Sequence, residues 1–112
     1  MIAKLLLDFL NNDETLDTPT YMEVPEELTD FVLLDQTGTS TENHIKTTTI
    51  AVQSYGTTLW DAMVLNEKVE AAMKRFVRLD NVTRVELETD YNFTNTTTKQ
   101  YRWQAVYQIT HY

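Results

Sequence analysis

At 112 residues the chain has the size of one domain, 1–112, and its lack of cysteine excludes disulfide and thiolate–metal chemistry. With 17 Asp and Glu against 9 Lys and Arg, the formal charge is −8. That balance disfavours non-specific adhesion to phosphate backbones and to anionic membrane surfaces, and no segment reaches the ~18 apolar residues of a membrane-spanning helix.

The first element, Met1 to Asn12, places Ile2, Leu5, Leu6, Phe9 and Leu10 on one side of a helical projection. The run is short, lacks a small-residue cleavage site and flows into Asn11-Asn12-Asp13-Glu14. An amphipathic helix is expected here rather than a signal peptide. Without a signal peptide, the N-x-T triplets at Asn81, Asn92 and Asn95 are products of a composition with 19 threonines.

A short strand is predicted over Thr20 to Val24, between Pro19 and Pro25. Phe31 to Gln36 reads as a second strand. The polar run Thr37, Gly38, Thr39, Ser40, Thr41, Glu42 and Asn43 reads as a mobile loop at the tip of a hairpin. The third strand, about His44 to Ser54, is dense in β-branched residues: Ile45, Thr47, Thr48, Thr49, Ile50 and Val52.

A long second helix is predicted from a cap at Thr57 or Thr58 to about Leu79, with Asp61 in its first turn matching the dipole. Ala62, Leu65, Val69, Ala72, Met73, Phe76 and Leu79 make its apolar stripe, and basic residues gather in its C-terminal half. Arg84 to His111 then reads as one hairpin with period-2 alternation. Val85, Leu87, Thr89, Tyr91 and Phe93 alternate with polar residues in its first strand, and Tyr101, Trp103, Ala105, Tyr107 and Ile109 recur in its second. The fold class is α+β: about five mostly antiparallel strands with two helices on one face, in the order α-β-β-β-α-β-β.

Candidate chemistry is sparse. His44 and His111 are the only histidines and have no metal-ligand spacing. The pairs Glu26-Glu27 and Glu86/Glu88 fall in a loop and on the polar side of a strand, whereas acid–base work needs a desolvated carboxylate. There is no nucleophile elbow, phosphate loop or dinucleotide fingerprint. No catalytic residue, metal or cofactor is expected. Lys74, Arg75 and Arg78 form the only basic cluster, read either as a solvated helix face or as a contact with an acidic neighbour. With Tyr91, Tyr101 and Trp103 they are the candidate assembly-interface residues.

Several stretches resemble the tail-terminator-like minor structural proteins of long-tailed phages of Gram-positive bacteria. They are Tyr21-Met22-Glu23-Val24-Pro25, Phe31-Val32-Leu33-Leu34, Thr37-Gly38, Asn43-His44-Ile45 and Ile50 to Tyr55. Leu65-Asn66-Glu67 with Ala71-Ala72-Met73, Asp90 to Thr94, Thr96 to Arg102, Gln104 to Tyr107 and Thr110-His111-Tyr112 complete the likeness. The resemblance implies the same α-β-β-β-α-β-β fold. It also implies a virion protein of the tail or neck, assembled in the host cytoplasm as a ring, typically of six copies. Such a ring caps the finished tail tube against the major tail tube protein and meets the head connector or stopper. The genome DNA then passes through without specific binding, and no membrane is involved. A head-completion, stopper or minor capsid protein is the alternative within that class. An acidic DNA-mimic inhibitor is disfavoured because Lys and Arg are interspersed with the acids.

Overall fold

The computed structural model describes residues 2–26, 30–98 and 100–112. Met1, Glu27 of the acidic pair, and Lys99 of the resembling Thr96 to Arg102 stretch lie outside the described residues.

The element order is α1 (Ile2–Asn11), β1 (Thr20–Tyr21), β2 (Phe31–Glu42), β3 (Ile45–Gly56), α2 (Leu59–Phe76), β4 (Val82–Asn92) and β5 (Tyr101–His111). The strands make one sheet in the order β1-β2-β3-β5-β4. Only the two-residue β1 runs parallel to its neighbour, pairing Thr20 with Val32 and Tyr21 with Leu33. The α+β class, element order and predominantly antiparallel sheet are therefore those expected from the chain.

Each helix forms for a local reason. Thr58 is extended (φ −133, ψ 163), and its hydroxyl accepts the backbone N–H of Asp61 at 3.1 Å, capping α2. The Thr57 hydroxyl donates to the Asp61 carboxylate at 3.0 Å and fixes the same turn. The α2 stripe Ala62, Leu65, Val69, Ala72, Met73 and Phe76 is buried. In α1, Ile2, Ala3, Leu6 and Leu10 are buried, and Leu5 and Phe9 pack against the same core. Phe9 and Phe76 join the helices, with ring centroids 5.2 Å apart. Beneath them lie Val32, Leu34, Ile50, Val52, Ala105, Tyr107 and Ile109, so both helices cover one face of the sheet.

Three expectations need correction. First, Thr37, Gly38, Thr39, Ser40, Thr41 and Glu42 belong to β2 rather than to a loop. Glu42 pairs with Ile45, Thr41 with Lys46, and the ladder continues to a register shift between Gln36 and Gly38. The turn is only Asn43 and His44, both at positive φ (51 and 67), as a tight two-residue hairpin turn requires. A β-branched, threonine-rich run opposite another such run favours the extended ladder over a loop. His44 is accordingly an exposed turn residue rather than the first residue of the third strand.

Second, period-2 alternation does not run unbroken through β4. Leu87 pairs with Tyr107, but Thr89 pairs with Val106, so Glu88 is an extra residue in a bulge. Paired residues share a face. Leu87 is therefore on the helix-bearing side, whereas Tyr91, opposite Gln104, is on the other side. Third, β1 is only Thr20–Tyr21, and α2 ends at Phe76, with turns carrying the chain to β4.

Candidate functional site

The face of the sheet opposite the helices carries a continuous aromatic row across all five strands. Tyr21 meets Phe31 edge-on, with centroids 6.0 Å apart at 71°. Phe31 stacks on Tyr55 at 4.3 Å and 14°. The guanidinium of Arg102 lies 5.7 Å from the Tyr55 ring centroid and 4.4 Å from that of Phe93. Tyr91 closes the row edge-on to Phe93 at 5.9 Å. Register explains the alignment: Phe31 pairs with Tyr55, and Tyr55 with Arg102. The backbone N–H of Phe93 donates to the Arg102 carbonyl at 2.9 Å.

A polar row runs beside it. The Tyr55 hydroxyl donates to Gln53 Oε1 at 2.9 Å, and Gln53 Nε2 donates to Gln104 Oε1 at 2.7 Å. Gln104 Nε2 donates to the Tyr91 hydroxyl at 2.5 Å. Arg102 ties the rows together, donating from Nη1 to the Tyr55 hydroxyl at 2.9 Å and from Nε to the Phe93 carbonyl at 2.6 Å. Phe31 and Tyr55 are buried at 1% and 3% exposure without a helix over them, whereas Tyr21, Tyr91 and Phe93 stay about two-fifths exposed. A guanidinium between two rings contributes ~0.5–2 kcal/mol depending on its desolvation. The donors and acceptors are largely spent on one another. The face therefore offers exposed rings at its two ends, Tyr21 on β1 and Tyr91 with Phe93 at the end of β4, around a buried and internally bonded centre.

The sequence candidates fall in three places. Tyr91 belongs to this face. Tyr101 and Trp103 are half-buried on the helix side, where the Trp103 indole N–H donates to Asp90 at 3.4 Å. Lys74 is exposed on α2 and Arg78 in the turn after it, and neither takes part in the aromatic row. Arg75 is committed inside the chain: its Nη2 donates to Asp13 Oδ2 at 2.6 Å and to the Thr15 hydroxyl at 3.0 Å. That hydrogen bond, followed by those from Thr15, holds the Asp13 carboxyl below the ordinary carboxylate range. The structure therefore does not gather the six candidates into one site.

Sequence reading missed Phe31, Gln53, Tyr55, Phe93, Arg102 and Gln104. The alternation was visible, but strict period 2 assigns Tyr91 and Phe93 to the core side, and only the Glu88 bulge moves them. His111 is buried in a structural role: Nε2 shares a 2.8 Å hydrogen bond with the Thr48 hydroxyl. Among the described residues no helix is long and apolar enough to cross a membrane, and no three His, Asp or Glu converge on one point. No protein-family model and no curated protein matches the chain.

Proposed function

We propose that the chain is a structural virion protein of a tailed phage, a tail-terminator-like subunit. It would assemble as a ring on the finished tail tube and present the opposite surface to the head connector. One observation carries the reading beside the sequence resemblance: the sheet is open at two unlike edges. On one side β4 has no strand beyond it along Val82–Asn92 among the described residues, and most of that strand is exposed. On the other side β1 covers only Val32 and Leu33, so the edge of β2 that faces away from β3 has no strand neighbour along Leu34–Glu42 among the described residues. Exposed edges invite pairing with another chain, and two different edges favour a head-to-tail contact, which a ring requires. The exposed rings at those edges, Tyr21 on one side and Tyr91 with Phe93 on the other, add apolar contact area for a neighbour.

Electron microscopy tests the reading directly. The purified chain is mixed with polymerised tubes of the major tail protein encoded nearest to it. Rings seated on tube ends are the expected result. Bare tube ends at saturating protein would overturn it, as would uniform binding along the tube wall.

A further inference from the structure

Trp60 is the most exposed large apolar side chain among the described residues, at 72%. It sits in the first turn of α2, and Met63, one turn on, is 40% exposed. Together they form an apolar ridge on the solvent side of the helix. Nothing in the same chain can cover that ridge with the groove described next. From Trp60 to Arg75 the helix rises ~22 Å, and both belong to the one rigid element.

At that far end, α1 and α2 leave a groove of about 660 Å³. Leu5, Phe9 and Leu79 supply its apolar lining, and all three are only partly buried. Several charges around it are already satisfied: Arg75 pairs with Asp13, and Asp8 with Lys4. Arg78 and Glu14 remain on the rim without an ion pair among the described residues.

We propose that the Trp60–Met63 ridge of one copy seats in the α1–α2 groove of a second copy. Charge supports this occupant. Glu67 lies two helical turns beyond Trp60 on the same solvent-facing side, ~10 Å along the axis, and is placed to meet Arg78 of the second copy. Ridge and groove are different patches of one chain, so each copy keeps one of them free for the next, and the contact is head-to-tail. The inference stands independently of the tail-terminator reading, since it uses only shape and charge on the two helices.

The test uses the full chain carrying Trp103→Phe, which leaves Trp60 as the single tryptophan of the two. Sedimentation and fluorescence are followed across a concentration series. Self-association is expected, with the Trp60 emission moving to the blue in step with it. Trp60→Ala, in the unmodified chain, and Arg78→Glu should each weaken association about tenfold or more, as loss of a buried interface anchor does. Glu67→Arg added to Arg78→Glu should restore part of it. Circular dichroism confirms that the variants fold, since all three positions are exposed. Association indifferent to Trp60→Ala, or emission that stays that of a solvated indole while the chain associates, overturns the contact. A chain that remains monomeric throughout overturns it too. Each of these results leaves the tube-end experiment to decide the tail-terminator reading separately.

Discussion

Replacing Asp13 or Arg75 probes the link between the loop after α1 and the end of α2. The Asp13 side chain is 8% exposed and accepts three hydrogen bonds: from Arg75 Nη2 at 2.6 Å, from the Thr15 N–H at 2.8 Å and from the Thr15 hydroxyl at 2.5 Å. Hydrogen bonds to a charged group contribute ~1.5–3 kcal/mol, whereas fully exposed pairs contribute less than ~1 kcal/mol. The Arg75 side chain is 34% exposed, so solvent screens part of its attraction. Asp13→Ala should therefore cost about 2 kcal/mol and Arg75→Ala about 1 kcal/mol, with a coupling of about 1 kcal/mol in a double-mutant cycle. For a chain of this length, 2 kcal/mol corresponds to a fall of roughly 8 °C in melting temperature. The pH dependence has a definite sign. The folded carboxyl titrates below its unfolded value of about 3.9, so its stabilisation is complete above that pH and is lost as pH falls through the lower folded value. The stability gap between wild type and Asp13→Asn should thus close on acidification. A gap that stays constant from neutral pH to the acid limb would refute the argument. Lys74→Glu with Arg75→Glu should lower the melting temperature by placing a carboxylate beside Asp13 in place of its guanidinium partner.

Phe76→Ala removes a fully buried ring packed on Phe9 and should cost about 3–5 kcal/mol, read as a fall in the denaturant midpoint. Gly56→Ala should cost about 1–3 kcal/mol, because its Cβ would lie 2.5 Å from the Ala62 backbone nitrogen and 2.9 Å from two Asp61 carbons, against the start of α2. The Tyr107 phenol is held above its ordinary pKa, first by burial and then by the Glu70 and Asp90 charges. In an ultraviolet titration one of the six tyrosines should stay silent until the chain unfolds in alkali, and the stability this residue protects should decline once pH exceeds the unfolded value of about 10.

What was legible in the chain follows from the range of each signal. Helical stripes at 3.6-residue spacing repeat over several turns, so α1 and α2 were readable together with the Thr58 cap, a local side-chain-to-backbone contact. The hairpin tip was not, because Thr37, Thr39 and Thr41 are polar enough for a loop and β-branched enough for a strand. Pairing with Lys46–Thr49 decides between the two, and that information lies on the other strand. The tie between Asp13 and Arg75 joins residues 62 positions apart, and nothing in the spacing of α2 distinguishes Arg75 from Lys74 or Arg78. The bulge in β4 is the sharpest case. Glu88 is flanked by Leu87 and Thr89, so the sequence keeps its alternation of apolar and polar residues across the insertion. One extra residue reverses the face of all that follow without altering the local pattern. Only the partner register reveals it, Leu87 against Tyr107 but Thr89 against Val106. That reversal puts Tyr91 and Phe93 on the face opposite Leu87, at the β4 end of the aromatic row, with Phe93 beneath the Arg102 guanidinium.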